Sequence, residues 1–104
     1  WAVANNKNTP IEIIEVLSED YFFEIRCTIA KNINTPDRLL AKLSKDENVR
    51  VRCNVAQNPN TPLEVLLELS TDYKCINPYG YETNHQSVAF YAKNNRINRL
   101  ALLT

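Results

Sequence analysis

A single 26-residue spacing recurs along this chain and constrains its fold more than any other feature. Thr-Pro occurs at residues 9–10, 35–36 and 61–62, so each pair follows the last after 26 residues. The same step, without gaps, connects identical residues in further columns: Ala4, Ala30 and Ala56; Asn6, Asn32 and Asn58; Asn8, Asn34 and Asn60; Leu17, Leu43 and Leu69; Ser18, Ser44 and Ser70; and Asp20, Asp46 and Asp72. Such periodicity is typical of stacked supersecondary units that share one elongated core.

A modified fourth unit follows the three regular ones. The triplet Ala-Lys-Asn at residues 92–94 repeats the one at 30–32, but Ala92 lies 36 residues after Ala56, which indicates an insertion of about ten residues within 76–86. We therefore predict a single helical-repeat domain with units at 1–26, 27–52, 53–78 and 79–104. Because neither end falls at a break of the repeat pattern, we also expect the chain to be a segment of a longer array.

The half-unit that begins at Thr-Pro predicts a helix. In the third unit, Thr61 supplies an N-cap hydroxyl, Pro62 suits the first helical position and Glu64 completes a capping box. Apolar residues at 65, 66 and 69 then form one stripe along a helix. By the repeat, we predict helices over residues 10–18, 36–44 and 62–70.

The other half-unit is ambiguous by its pattern. Residues 49–55 alternate apolar and polar side chains, as residues 23–29 do, which is typical of a strand and would give an α/β horseshoe. Two observations favour a helix instead. An aspartate precedes the segment, where an N-cap would lie, and Val51, Val55 and Ala56 suit one helix face. Periodicity alone does not decide between the two, and we favour the helix.

One stretch of the chain carries a family resemblance. Residues 51–62 read VRCNVAQNPNTP and are followed by Leu66, Leu69-Ser70 and Asp72. This string resembles the leucine-rich repeat variant family, whose unit reads V-R-x-x-V-A-x-N-x-x-T-P-x-x-x-L-x-x-L-[AS]-x-D; residues 1–75 follow that pattern well and residues 87–104 loosely. The resemblance implies an all-α fold: a right-handed α-solenoid of two-helix repeats of ~26 residues, distantly similar to HEAT and armadillo arrays. Some members carry an N-terminal iron–sulfur segment, but its cysteine clustering is absent here, so we expect no cofactor and no metal site.

The repeat also predicts the core and the turns. We expect three columns to form a continuous core: Val3, Ile29 and Val55; Ile14, Leu40 and Leu66; and Leu17, Leu43 and Leu69. The chain has one glycine, at position 80, so another residue must take the left-handed conformation that ends many helices. We assign that role to the asparagines at 6, 32 and 58, with those at 8, 34 and 60 shaping the next turn. An asparagine ladder that binds an extended peptide is the less favoured alternative.

The cysteines are interpreted as small apolar residues. Cys27 and Cys53 occupy one column, and equivalent helices of stacked units lie about 10 Å apart, which is too far for a disulfide. The spacings among Cys27, Cys53 and Cys75 do not resemble zinc or iron–sulfur ligation. Reduced cysteines agree with a cytoplasmic location. No apolar run approaches the length of a membrane span.

The composition favours a binding module over an enzyme. The 12 basic and 12 acidic residues give zero net charge, which weighs against nucleic acid as the default partner. Catalysis has little support, because the chain has one histidine, no glycine-rich phosphate loop and no Ser–His–Asp or Cys–His set recognisable by spacing. An enzyme would need a deep polar pocket around His85. We therefore predict a non-enzymatic scaffold for protein–protein interaction, without a membrane partner.

Six residues are candidates for partner contact: Arg26, Arg50, Arg52, Tyr79, Tyr81 and His85. The arginines form a short basic row; alternatively, they bond helix carbonyls or the Asp column of a neighbouring unit. The tyrosines and His85 interrupt the repeat, where loops on a regular scaffold often carry recognition. A tolerated insertion that covers the core is the alternative. The rival function is nucleic-acid binding by one basic surface of Arg26, Arg50, Arg52, Lys93, Arg96 and Arg99.

Overall fold

The computed structural model describes residue 6, residues 8–72 and residues 87–102, and these contain six α-helices and no strand. The helices are α1 (Ile11–Leu17), α2 (Phe23–Lys31), α3 (Asp37–Leu43), α4 (Val49–Gln57), α5 (Leu63–Leu69) and α6 (Val88–Leu102). The helices predicted over 10–18, 36–44 and 62–70 are confirmed, with slightly shorter bounds. The ambiguous half-unit forms α2 and α4, so the strand alternative is wrong.

The helices pack so that each unit contacts the next. α2, α4 and α6 lie side by side, because α4 packs against both of the others, while α1, α3 and α5 pack against this row. Two ion pairs connect the first unit to α3: Arg38 Nη2 lies 3.1 Å from Glu15 Oε2, and Lys42 Nζ lies 2.5 Å from Glu19 Oε1. The first two units are thus joined by the packing of α2 against α4 and by ion pairs between the α1 region and α3.

The predicted columns form the core within the described residues. Seven of their members are buried: Ile14, Ile29, Leu40, Leu43, Val55, Leu66 and Leu69. Leu17 is partly buried against them, and Val3 lies outside the described residues. Cys53 is part of the same core and Cys27 packs against it, both as free thiols, whereas Cys75 lies outside the described residues. Each buried aliphatic side chain contributes about 1.5–3 kcal/mol.

The starts of α1, α3 and α5 differ by one residue from the prediction. The N-cap is the proline, since the carbonyl of Pro62 accepts hydrogen bonds from the N–H groups of residues 65 and 66, both at 3.1 Å. The Thr61 hydroxyl instead donates to the carbonyl of Val55 at 2.6 Å, and Thr35 donates likewise to Ile29 at 2.6 Å. The predicted threonine cap and capping box are therefore wrong. A hydroxyl can donate or accept, and here it satisfies a carbonyl at the end of the preceding helix.

The left-handed conformation predicted for the asparagine column is also wrong at Asn32 and Asn58. Asn32 and Asn58 end α2 and α4 with φ near −68° and −67° and ψ near 126° and 125°, which is extended backbone. Their side chains shape the turn: Asn58 Oδ1 accepts from the N–H of Asn60 at 2.9 Å, and Asn32 Oδ1 accepts from that of Asn34 at 2.9 Å. Asn58 Nδ2 meanwhile donates to the carbonyls of Ala30 at 2.8 Å and Asn32 at 3.1 Å. This asparagine column therefore ties each unit to the one before it.

The fourth unit continues these contacts with a shifted residue. Asn95 Nδ2 donates to the carbonyls of Ala56 at 2.9 Å and Asn58 at 2.8 Å, as Asn58 does to the unit before. Asn94, which the triplet pattern aligns with Asn32, is exposed. The shift arises because α6 continues through this region as one helix, without the Thr-Pro turn of the regular units.

Candidate functional site

Arg26 and Arg52, two of the predicted contact residues, form ion pairs within the scaffold. Arg26 Nε lies 2.7 Å from Asp46 Oδ2 in the next unit, and its Nη1 donates to the carbonyl of Asp20 at 2.7 Å. Arg52 repeats both contacts, with Asp72 at 2.7 Å and the carbonyl of Asp46 at 2.7 Å. The hydrogen bond that Arg26 donates to Asp46 is the main cause that raises the pKa of Arg26 above its ordinary value. These contacts confirm the pairing with the Asp column of the neighbouring unit, whereas the carbonyls that the two arginines bind lie in the turns before the helices and not in the helices themselves.

Arg50 is exposed on α4. It lines a surface hollow of about 330 Å³ that also contains Phe23, Cys27 and Asn54. Burial raises the pKa of the Cys27 thiol above its ordinary value, so this sulfur is protonated at neutral pH. Of the three predicted arginines, Arg50 is the one whose guanidinium faces the solvent.

The basic residues of the nucleic-acid alternative do not share one surface. Arg99 donates to the carbonyls of Thr61 and Asn58, in the turn that follows α4, and burial lowers the pKa of Arg99. Arg26 and Arg52 bond instead at the turns that precede α2 and α4, which is the opposite end of the units. Two further basic residues lie on α6, Lys93 exposed and Arg96 partly buried. The predicted contacts Tyr79, Tyr81 and His85 lie outside the described residues.

A wide groove lies between the turn before α2 and the turn before α4, and we call it the turn groove. It encloses about 950 Å³, is open to solvent and is lined by residues 18–24, Arg26, Lys42 and residues 46–48. Tyr21 and Phe22 stand on its wall with 91% and 62% of their surfaces exposed. Their ring centroids are 5.6 Å apart and the rings meet edge to face. Exposed aromatic side chains of this kind are the residues that most often anchor protein interfaces.

The backbone that carries the two rings is held by side chains on both sides. Asp20 Oδ1 accepts a hydrogen bond from the N–H of Phe22 at 2.9 Å. Arg26 Nη1 donates to the carbonyl of Tyr21 at 3.0 Å. The rings therefore project from a fixed turn, and a partner that binds them loses less conformational entropy than it would on a disordered loop.

Sequence reasoning missed Tyr21 and Phe22. Their equivalents are Glu47 and Asn48 in the second unit and Tyr73 and Lys74 in the third, so a tyrosine recurs in the first column but the aromatic pair does not follow the repeat. A search for turn positions that are aromatic in one unit and polar in the next would have found both. The neighbouring Phe23 is different, because it is partly buried against the core.

The described parts of the chain contain neither a metal-binding cluster nor a membrane-spanning helix. Across residues 8–72 and 87–102, no three His, Cys, Asp or Glu side chains are grouped closely enough to hold a metal ion. No helix in those ranges combines the length and the apolar character needed to cross a bilayer.

The unit that contains α4 and α5 has a recognisable family pattern. Residues 49–72 match the leucine rich repeat variant family. The match confirms the resemblance for one unit, which is less than a quarter of the chain, and the family is a helical repeat that generally serves protein interaction. No curated protein and no solved structure matches the chain. Within the matched residues, Arg52 pairs with Asp72, and Asn58 donates to the carbonyl of Ala30 in the preceding unit.

Proposed function

We propose that the chain is a non-enzymatic helical-repeat scaffold that binds a partner protein. In this proposal the units at 1–26, 27–52 and 53–78 and the modified unit at 79–104 stack as a right-handed α-solenoid of two-helix repeats of ~26 residues. The match of residues 49–72 to the leucine rich repeat variant family supports protein interaction as the role. Free thiols such as those of Cys27 and Cys53 suit a cytoplasmic location.

The observation that carries the proposal is the exposed pair of rings on the turn groove. Tyr21 and Phe22 bury little surface within the chain, form an aromatic pair that the other units do not repeat, and project from a turn that Asp20 and Arg26 hold in place. A scaffold that only had to fold would gain nothing from these rings, because exposed aromatic surface promotes nonspecific association. A partner protein that covers the rings gives them a function.

Other predicted residues take supporting parts in this proposal. Arg50 is a second contact candidate, since it faces solvent on α4, and the insertion residues Tyr79, Tyr81 and His85 remain proposed contacts. Arg26 contributes by holding the aromatic turn, and Arg52 holds the equivalent turn of the next unit in the same way.

An affinity capture with the whole chain tests the proposal. The chain is immobilised and exposed to nuclease-treated lysate of its source organism, and the retained proteins are identified by mass spectrometry. We expect at least one protein to be retained above the level of blank beads and to remain after washing at moderate salt. The proposal is contradicted if the chain retains no protein, or if it retains protein only from a parallel lysate without nuclease treatment. The second result favours the nucleic-acid alternative, and a salt-dependent shift assay on DNA and RNA then measures that binding.

A further inference from the structure

The turn groove has an excess of carboxylates around its two rings. Five acidic side chains line it, against the two basic side chains of Arg26 and Lys42: they are Glu19, Asp20, Glu24, Asp46 and Glu47. Both basic side chains form ion pairs within the groove, because Arg26 pairs with Asp46 at 2.7 Å and Lys42 pairs with Glu19 at 2.5 Å. Asp20, Glu24 and Glu47 therefore have no ion-pair partner within the lining of the groove, which gives it a net negative charge although the chain as a whole is neutral. Arg50 and Lys31 lie beside Glu24 in the adjoining hollow and reduce this excess on that side only.

The aromatic faces add a second attraction for positive charge. A guanidinium or ammonium group within about 6 Å of a ring centroid is attracted by the quadrupole of the ring. Tyr21 and Phe22 present exposed rings beside the same carboxylates, so one cation can contact a ring face and a carboxylate together. The long apolar stems of lysine and arginine can also cover the ring surface while their charged ends reach the acids.

We propose that the turn groove binds an extended, basic segment of the partner protein, with lysine or arginine side chains on Tyr21 and Phe22 and their charges directed to Glu24 and Glu47. This inference rests on the proposed function and names the chemistry of the partner. An acidic segment or a nucleic-acid phosphate would meet uncompensated like charge in the groove, and a purely apolar segment would strip water from carboxylates without pairing them.

A selection from a random peptide library tests this inference. Displayed peptides of about 12 residues are selected on the intact chain, and the charge of the enriched peptides is compared with that of the starting library. We expect enrichment of lysine and arginine. Individual enriched peptides are then synthesised with a fluorescent label, and their affinity is measured by anisotropy at two salt concentrations.

Two double variants locate the binding. The variant Tyr21→Ser with Phe22→Ser removes the rings. The variant Glu24→Gln with Glu47→Gln removes two negative charges but keeps the size of the side chains. Each double variant is expected to lower the affinity for the enriched peptides about tenfold or more. Because all four side chains are at least partly exposed, the variants should fold, which circular dichroism verifies. The matched controls are Ile33→Ser with Leu67→Ser, exposed apolar residues elsewhere, and Glu64→Gln with Glu68→Gln, exposed acids on α5. These controls should keep the affinity of the wild-type chain.

The outcomes separate this inference from the proposed function. If the wild-type chain captures proteins from lysate but selects no basic peptides, or selects acidic ones, the inference is wrong and the scaffold function stands. The same holds if the groove variants and the controls bind the basic peptides equally well. If the wild-type chain captures no protein at all, the proposed function itself fails.

Discussion

Arg52 on α4 holds Asp72, in the turn after α5, through its Nε at 2.7 Å from Asp72 Oδ2. The same guanidinium donates to the carbonyls of Asp46 and Glu47, in the turn before its own helix, at 2.7 Å and 3.2 Å. One side chain thus fixes the turns of two successive units. Both partners are largely buried, with 16% and 20% of their side-chain surfaces exposed, so solvent screens the pair weakly.

Removal of this arginine should destabilise the fold. We expect Arg52→Ala to lower the free energy of unfolding by about 2–3 kcal/mol, because Asp72 and two backbone carbonyls lose a charged donor. Arg52→Lys should recover little of this, since an ammonium cannot reproduce the planar fork. Arg50→Ala, on the same helix but exposed, is the control and should change stability by less than about 0.5 kcal/mol. Urea unfolding measures all three, and equal effects for Arg52→Ala and Arg50→Ala would contradict the role of the pair.

Thr61 is expected to act as a hydrogen-bond donor rather than as a helix cap. Its hydroxyl donates to the carbonyl of Val55 at 2.6 Å in a fully buried site. Thr61→Ser should therefore be tolerated, Thr61→Val should cost about 1 kcal/mol, and Thr61→Asp should cost more because a carboxylate cannot donate. At an N-cap, aspartate would be among the best residues, so a stable Thr61→Asp variant in thermal unfolding would restore the capping interpretation. Thr71→Val, whose exposed hydroxyl bonds Glu68, serves as the control.

The amide of Asn58 is expected to be required for the contact between the second and third units. Its Nδ2 donates to two carbonyls of the preceding unit while its Oδ1 accepts the N–H of Asn60. We expect Asn58→Ala to cost about 2 kcal/mol, and Asn58→Asp to cost more at pH 7 because its carboxylate would face two carbonyl oxygens.

The pH dependence of the Asn58→Asp variant gives an independent check. Those oxygens would raise the folded-state pKa of the new carboxyl above its unfolded value, so the stability lost at pH 7 should return as the pH falls toward about 4. Asn94→Ala, an exposed asparagine on α6, should leave stability unchanged. If Asn58→Asp is as stable as the wild type at pH 7, the bonds across the units contribute nothing.

The helices α1, α3 and α5 were predictable because their signals are periodic, whereas periodicity alone did not decide α2 and α4. Thr-Pro marks each start, and the columns of Ile14, Leu40 and Leu66 identify buried faces without knowledge of the fold. The direction of a hydrogen bond has no such signal. The sequence places a hydroxyl at Thr61, but only the position of the Val55 carbonyl decides that this hydroxyl donates. The conformation of Asn58 was missed for a similar reason, since its side chain has partners in the preceding unit.

The candidate site was harder to predict because it depends on where one helix begins. Phe22 and Phe23 are neighbours in sequence, yet Phe22 is 62% exposed in the turn whereas Phe23, the first residue of α2, packs against the core. A one-residue change of boundary would exchange their roles. Arg26 and Arg52 were visible in the sequence, but their role was ambiguous. Their shared column could indicate either a basic binding row or structural ion pairs, and the distances to Asp46 and Asp72 identify ion pairs.

Cys27 should react slowly with alkylating reagents, and Arg50 should modulate that rate. Burial raises the pKa of this thiol above its ordinary value, with Asp46 adding to the rise and Arg50 opposing it. Since the thiolate is the reactive form, the iodoacetamide rate of a Cys53→Ala, Cys75→Ser variant should rise with pH to a midpoint above that of the same variant unfolded in urea. Above the unfolded pKa the folded state also loses stability, because it retains a proton that the unfolded chain releases. Arg50→Gln should shift the midpoint further upward, whereas Lys31→Gln, in the same hollow, should leave it unchanged. A midpoint at or below that of the unfolded variant, or equal shifts in the Arg50 and Lys31 variants, would contradict this account.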